Sequence, residues 1–172
     1  MKVLFLGAPG SGKSTQGKSF AEKMGWVWLS TGEMLRQSKE KWIQEKLATG
    51  ELFDDEFITE MALTEIKKHE NVILDGFPRT LIQAKKLVEA GVEVEKIIEI
   101  DVPAEEILQR MLLRGRDEDN EEVIGKRISI YEATRDEIVK YLTENGSQFV
   151  KIDGVGTPEE VAERVYRGVS EK

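Results

Sequence analysis

The chain has 172 residues, 40% of them hydrophobic, which is enough for one α/β domain with its own core. Its 33 acidic and 25 basic side chains leave a net charge of −8, which argues against general binding to nucleic acids, since that requires neutralising many phosphates. The absence of cysteine excludes disulfides and thiolate-bound zinc, and a single histidine, His69, leaves little scope for a histidine-based metal site. No run reaches the roughly 18 apolar residues of a membrane span, and no signal peptide is evident, so we expect a cytoplasmic protein without membrane contact.

Short apolar runs bounded by turn signals predict buried strands, and segments with helical spacing lie between them. In chain order the predicted elements are strand 2–6, helix 13–24, strands 26–30 and 71–75, helix 80–90, strand 96–101, helices 104–114 and 121–144, strand 149–153 and helix 158–170. Strands that alternate with helices predict a five-stranded parallel sheet with helices on both faces. Ligands of such sheets bind beyond the carboxyl ends of the strands.

Residues 31–70 interrupt this alternation. They are helical and mixed in character, with a break at Thr49-Gly50, and predict a small helical insertion rather than a separate domain. The core of the single domain then comprises residues 1–30, 71–113 and 121–172.

The segment GAPGSGKST, between the first strand and the first helix, matches the phosphate-binding P-loop pattern. Its glycines let the backbone fold around a phosphate, and the helix that follows directs its positive end at the anion. Lys13 can reach the β- and γ-phosphates of a nucleotide, and the Ser14 hydroxyl can bind Mg²⁺. Thr15 either supports the same phosphates or caps the helix. The loop predicts a site for a nucleoside triphosphate.

Asp75 ends the apolar run NVILD, where a carboxylate could hold Mg²⁺ through water. The alternative is a turn-forming aspartate before Gly76. A third feature is the stretch RMLLRGRDEDN at residues 110–120, which gathers three of the nine arginines in an acidic chain. The planar guanidinium fork matches phosphate oxygens, so this stretch either binds phosphate or is a solvated charged helix end.

Three further motifs, STGEMLR (30–36), TGELFDDE (49–56) and DGFPRTLIQA (75–84), follow the P-loop in order. With them the chain resembles the adenylate kinases of the nucleoside monophosphate kinase family, from Met1 to about residue 165. The resemblance implies a P-loop kinase fold, with residues 31–70 as an AMP-binding insertion and residues 114–120 as a very short lid. It also implies Mg²⁺-dependent transfer from ATP to AMP, giving two ADP, without zinc.

The resemblance assigns roles by position. Catalytic roles fall to Lys13, Arg79, Arg116 and Arg127. The ATP-binding residues are Gly10, Ser11, Gly12, Lys13, Ser14, Thr15, Arg110 and Gly156. The AMP-binding residues are Thr31, Gly32, Arg36, Leu52, Phe53, Gly76, Arg79, Gln83, Arg116 and Arg127, with Gln83 reading the adenine edge. Arg114 and Asp119 belong to the lid. Mg²⁺ is expected at Ser14 and Asp75. The arginines left for the general surface are Arg135, Arg164 and Arg167.

The lid is shorter than in relatives, because only Gly115 separates Arg114 from Arg116. A monomer is the default expectation, and an oligomer in which a neighbouring subunit covers the site is the alternative. The closest other function is a UMP or CMP kinase of the same family, although relatives of that kind commonly have Asn where this chain has Thr80. A non-catalytic sensor of adenine nucleotides and a P-loop ATPase are further alternatives. A non-catalytic sensor should have lost Lys13 or Arg79. A P-loop ATPase needs a residue that positions the attacking water.

Overall fold

The computed structural model describes residues 1–114 and 120–171. Their elements, in chain order, are β1 (Lys2–Leu6), α1 (Lys13–Met24), β2 (Val27–Ser30), α2 (Thr31–Gln37), α3 (Lys41–Thr49), α4 (Asp55–Ile66), β3 (Val72–Asp75), α5 (Leu81–Glu89), β4 (Lys96–Asp101), α6 (Ala104–Arg114), α7 (Glu121–Glu144), β5 (Gln148–Asp153) and α8 (Pro158–Ser170). The predicted elements are confirmed, with bounds that differ by no more than one residue at either end. Within the described part of the chain, no helix is both long and apolar enough to cross a membrane.

All five strands are parallel, in the order β2-β3-β1-β4-β5. The central strand, β1, lies between β3 and β4 and leads directly into the P-loop. Asp75, the last residue of β3, pairs in register with Phe5 of β1 and with Ser30 of β2. The P-loop, the start of α2 and the turn after β3 therefore meet at one edge of the sheet, where this fold class binds ligands. The sheet and its surrounding helices are those of the P-loop kinase fold.

Side chains of the strands alternate between two cores, as the two-residue period of a strand requires. Leu4 and Leu6 of β1 pack in one core, with residues of α4, α5 and α7. Val3 and Phe5 pack in the other, with residues of α1, α6 and α8. The sheet is thus covered on both faces, which fixes the P-loop and the ends of β2 and β3 from behind.

The insertion consists of α2, α3 and α4, so the prediction of a helical segment is confirmed. The Ser30 side chain caps α2 by accepting a hydrogen bond from Glu33 N, and Asp54 caps α4 in the same way. Trp42 on α3 is 48% exposed and contacts Phe53 and Phe57, with ring centroids 5.9 and 5.3 Å away. This aromatic contact holds α3 against the start of α4.

Candidate functional site

A cavity opens beyond the carboxyl ends of β1, β2 and β3, and we call it the central cavity. Residues of the P-loop, the insertion, the turn after β3, α5 and α7 line it. The predicted site residues that line it are Lys13, Ser14, Thr31, Gly32, Arg36, Leu52, Phe53, Asp75, Gly76, Arg79, Gln83 and Arg127. The structure therefore brings residues from the P-loop, the insertion, the segment from β3 to α5, and α7 into one site.

The P-loop is a tight turn that leads into α1. Gly12 is the N-cap of the helix in the left-handed conformation, with φ of 91° and no side-chain cap. The loop is closed by a hydrogen bond of 3.0 Å from Ser11 N to Ala8 O. The first N–H groups of a helix have no partner within the helix, so the start of α1 offers donors to an anion. Lys13 and Ser14, its first two residues, line the central cavity.

Asp75 lies at the floor of the cavity and is 2% exposed. Its Oδ2 atom is buried and has no hydrogen-bond partner among the described residues. A buried carboxylate oxygen without a donor is costly unless a cation or ordered water satisfies it. With the Ser14 hydroxyl lining the same cavity, the pair supplies the oxygen ligands that Mg²⁺ prefers. The residues present therefore fit a magnesium ion.

The turn after β3 positions the guanidinium group of Arg79 through one carbonyl group, Gly76 O. Gly76 O accepts hydrogen bonds from Thr31 Oγ1, at 2.9 Å, and from Arg79 Nε, at 2.8 Å. Gly76 has φ of 79°, and a Cβ atom there would lie 2.9 Å from Arg79 Nη2. Only glycine fits both the backbone conformation and this close approach. Thr31 and Arg79, from different motifs, are held side by side as a result.

Arginines gather around this point. Arg36 pairs with Glu33 at 3.1 Å, and Arg127 Nη2 donates to Leu47 O at 3.4 Å. Arg79 is accessible to solvent, but the cavity walls desolvate its guanidinium and lower its pKa; Arg127 and Arg36 lower it further, and Asp75 raises it. An arginine stays protonated at neutral pH, so Arg79 keeps its positive charge beside Arg127 and Arg36, and a bound phosphate would offset that charge.

Gln83 is 2% exposed and lines the central cavity, so it is not a solvent-facing helix residue. Its Oε1 accepts a hydrogen bond of 2.7 Å from Arg79 N, and its Nε2 donates to Asp55 Oδ1 at 2.9 Å. Sequence reasoning missed Asp55, because it follows the helix-capping Asp54 and matches an ordinary acidic first turn of a helix.

A second network that sequence reasoning missed joins β4 to α7. Glu99, 4% exposed on β4, accepts hydrogen bonds of 2.6 Å from Tyr131 Oη and from Arg135 Nε, and Arg135 Nη2 contacts its other oxygen. These bonds raise the pKa of Arg135, with the hydrogen bond to Glu99 as the main cause. Tyr131 and Arg135 also line the central cavity, so the assignment of Arg135 to the general surface is wrong. The signal in the sequence was Glu99, a carboxylate within the apolar part of β4, together with Tyr131 and Arg135, which lie four residues apart on a helix.

Arg110 lies outside the lining of the central cavity. Its guanidinium donates to Ser11 O at 3.3 Å and to Gly154 O at 3.1 Å, and it pairs with Glu106. It thus bridges the P-loop and the loop after β5 that contains Gly156, two predicted parts of the ATP site. The other predicted ATP residues outside the lining are Gly10, Ser11, Gly12, Thr15 and Gly156. The lid residues Arg116 and Asp119, and the Arg114 side chain, lie outside the described part of the chain.

Comparison with known proteins decides the family. A family model described as adenylate kinase matches residues 5–147, from β1 through α7. The chain belongs to the adenylate kinase family. An adenylate kinase of Thermus thermophilus is 37% identical over 177 residues, which cover 95% of this chain and 94% of the relative. One of Maricaulis maris is 34% identical over 189 residues and the whole of both chains, and one of Phocaeicola vulgatus is 36% identical over 174 residues, covering 91% and 92%.

Membership makes this chain an enzyme, a nucleoside monophosphate kinase that binds nucleotides and transfers a phosphoryl group. The family match spans the P-loop, the insertion and the turn after β3, which together form the central cavity. Among the predicted site residues, Gly156 alone lies beyond the match.

Proposed function

We propose that this adenylate kinase family member catalyses Mg²⁺-dependent, reversible transfer of the γ-phosphoryl group of ATP to AMP, giving two ADP. The observation that carries the proposal is the convergence in one cavity of the P-loop lysine, Lys13, with the phosphate-binding cation Arg79 and the amide of Gln83. Lys13 and the start of α1 suit a triphosphate, and the other two residues suit a nucleoside monophosphate.

On the acceptor side, Arg36, Arg79 and Arg127 would bind the AMP phosphate, since all three line the same cavity. Leu52 and Phe53 would contact the adenine ring with their apolar side chains. Phe53 is buried, with 8% of its surface exposed. The charged and apolar parts of the cavity thus match the phosphate and the base of one ligand.

The chemistry needs no general base among the side chains. An oxygen of the AMP phosphate, already anionic at neutral pH, attacks the γ-phosphorus of ATP, and the bond from that phosphorus to the β–γ bridging oxygen breaks. ADP leaves with the bridging oxygen, and the acceptor becomes the second ADP. The transition state is loose, so catalysis consists of positioning and of neutralising charge on the transferring group.

Each residue then has a physical task. Lys13 and the N–H groups at the start of α1 neutralise the β- and γ-phosphates, while Arg79 holds the acceptor phosphate in line. Ser14, with Asp75 through water, would hold Mg²⁺, which when bound would offset the negative charge of the phosphates.

Product analysis with a panel of acceptors tests the proposal. MgATP is incubated with AMP, CMP, UMP, GMP or dTMP in turn, and the diphosphates formed are separated by anion exchange. We expect ADP to form efficiently with AMP and far more slowly with the others. Efficient formation of CDP or UDP would overturn the choice of AMP and assign the chain to the pyrimidine kinases of its family.

A further inference from the structure

The Gln83 amide is held at both of its ends. Its Oε1 accepts a hydrogen bond from Arg79 N, at 2.7 Å, and its Nε2 donates one to Asp55 Oδ1, at 2.9 Å. Thr80 completes the network: its hydroxyl donates to the same Asp55 oxygen at 2.7 Å and accepts from Gln83 N at 3.1 Å. Asp55 begins α4 of the insertion, whereas Thr80 and Gln83 belong to the start of α5.

The chemistry of the partners determines which way the amide faces. A backbone N–H group can only donate, so the atom that faces Arg79 N must be the amide oxygen. An ionised carboxylate can only accept, so the atom that faces Asp55 must be the amide nitrogen. Rotating the amide by half a turn would place N–H against N–H and oxygen against oxygen. Asp55 and Arg79 N together therefore lock one orientation.

This orientation leaves one free lone pair on Gln83 Oε1 and one free hydrogen on Nε2, since each atom uses one of its two positions in the network. Adenine presents a donor at its N6 amino group beside an acceptor at N1, and the free pair matches both. A 6-oxopurine such as hypoxanthine presents an acceptor at O6 beside a donor at N1, the opposite pattern. An unrestrained glutamine would serve either base by rotating its amide.

We propose that Asp55 is a positioning residue that sets the choice between 6-aminopurine and 6-oxopurine acceptors, by locking the Gln83 amide. The inference rests on the proposed function, because it requires a nucleoside monophosphate with its base beside Gln83. A site that hydrogen-bonds one arrangement of donors and acceptors rejects the reverse strongly, since the mismatched base leaves buried polar groups unpaired.

The test compares kcat/KM for AMP with kcat/KM for IMP, whose base differs from adenine at position 6 and lacks the extra amino group of guanine. Asp55→Ala removes the acceptor for Gln83 Nε2, and we expect the AMP-to-IMP ratio to fall about ten- to a hundredfold, the effect of one hydrogen bond to a charged group. Asp55→Asn keeps the size but can donate as well as accept, so we expect a smaller fall.

Glu56→Gln is the matched control. It removes one charge from the same first turn of α4, where Glu56 is exposed and pairs with Lys86 at 3.7 Å. We expect this variant to keep the wild-type ratio. Gln83→Ala should give the lowest AMP-to-IMP ratio, because it removes the amide itself.

The readout separates positioning from a merely structural role. Loss of structure lowers the rates with both acceptors together, whereas loss of the lock changes their ratio. An unchanged ratio in both Asp55 variants, or a wild-type enzyme that uses AMP and IMP equally well, would overturn the inference and leave the proposed function intact. A wild-type enzyme that transfers nothing to AMP would overturn the proposed function itself.

Discussion

Arg79 shows most directly how single residues act in the central cavity. Its Nε atom is fixed by Gly76 O at 2.8 Å, which leaves the rest of the guanidinium fork to bind a phosphate. We predict that Arg79→Ala lowers kcat about a hundredfold or more, as the loss of one positioned donor commonly does. AMP binding should weaken while ATP binding persists.

Thermal shift measurements check this prediction, since a ligand that binds only the native state raises its stability. AMP should raise the melting temperature of the wild type but not of Arg79→Ala, whereas ATP should raise both. Arg167→Ala is the control, because Arg167 is an exposed arginine outside the central cavity. Unchanged turnover in Arg79→Ala would refute the role of this residue.

At the residue scale, sequence reasoning found the residues that belong to motifs and missed those that support them. Lys13, Arg79 and Gln83 carry recognisable spacing, and the structure places all three in one cavity. Asp55 acts through a contact with Gln83, which lies 28 positions away along the chain. Arg135 acts through a contact with Glu99, which lies 36 positions away. Such distances are set by tertiary packing, which a local pattern does not contain.

At the scale of elements, α7 is joined to β4 through the side chain of Tyr131. Burial, and then the hydrogen bond to Glu99, raise the pKa of Tyr131 above its ordinary value of 10.0. Because the pKa of Tyr131 is higher in the folded protein than in the unfolded chain, its contribution to stability is fully present when the pH is below the ordinary pKa. The contribution is lost as the pH rises above that value, because the unfolded chain releases the proton first. The contribution of Tyr131 to the free energy of unfolding should therefore decrease only in alkaline solution.

We predict that Tyr131→Phe lowers the free energy of unfolding below pH 9 by about 2 kcal/mol, the contribution of one hydrogen bond to a charged group. Above pH 10 the difference between wild type and variant should shrink. Urea unfolding between pH 7 and pH 11 measures it. A difference that stays constant across this range would show that the Tyr131 proton does not contribute.

The end of α8 is held by a different device, a buried lysine. Lys96 on β4 is 7% exposed, and its Nζ donates to Gly168 O at 3.1 Å and to Glu171 O. A cation suits the carbonyl groups left unpaired at the C-terminus of a helix. At the other end of α8, Thr157 is the N-cap, Pro158 is the first helical residue, and Thr157 forms a capping box with Glu160.

We predict that Lys96→Met lowers the free energy of unfolding by about 2 kcal/mol, because the carbonyl groups lose a charged donor. Thermal or urea unfolding measures the change, and Lys140→Met, at an exposed position of α7, is the matched control. Equal stability of the two variants would mean that Lys96 does not hold the helix end.

The fold of the whole molecule follows from the alternation of strands and helices along the chain, which is why most elements could be predicted. The three central strands, β1, β3 and β4, are buried between helices, so their runs are mostly apolar and their ends are marked by turns. The insertion was predictable only in outline, because its three helices are short and its aromatic contact between Trp42 and Phe57 depends on folding. The shape of the cavity depends on that folding as well.

The charge distribution of the molecule leads to the same function. An acidic chain, with a net charge of −8, places four arginines and a lysine around one cavity. Those cations suit the cavity to the phosphates of small nucleotides. We therefore propose that a phosphoryl group passes between two nucleotides inside this cavity.

The most direct measurement of that claim is the stoichiometry of the reaction, followed by ³¹P NMR with equimolar MgATP and AMP. We predict that one ATP and one AMP are lost for every two ADP formed, that the mixture approaches the same equilibrium from ADP alone, and that Lys13→Ala abolishes the exchange. Release of inorganic phosphate from ATP without a matching loss of AMP would contradict the account, because it would show transfer to water instead of transfer to a nucleotide.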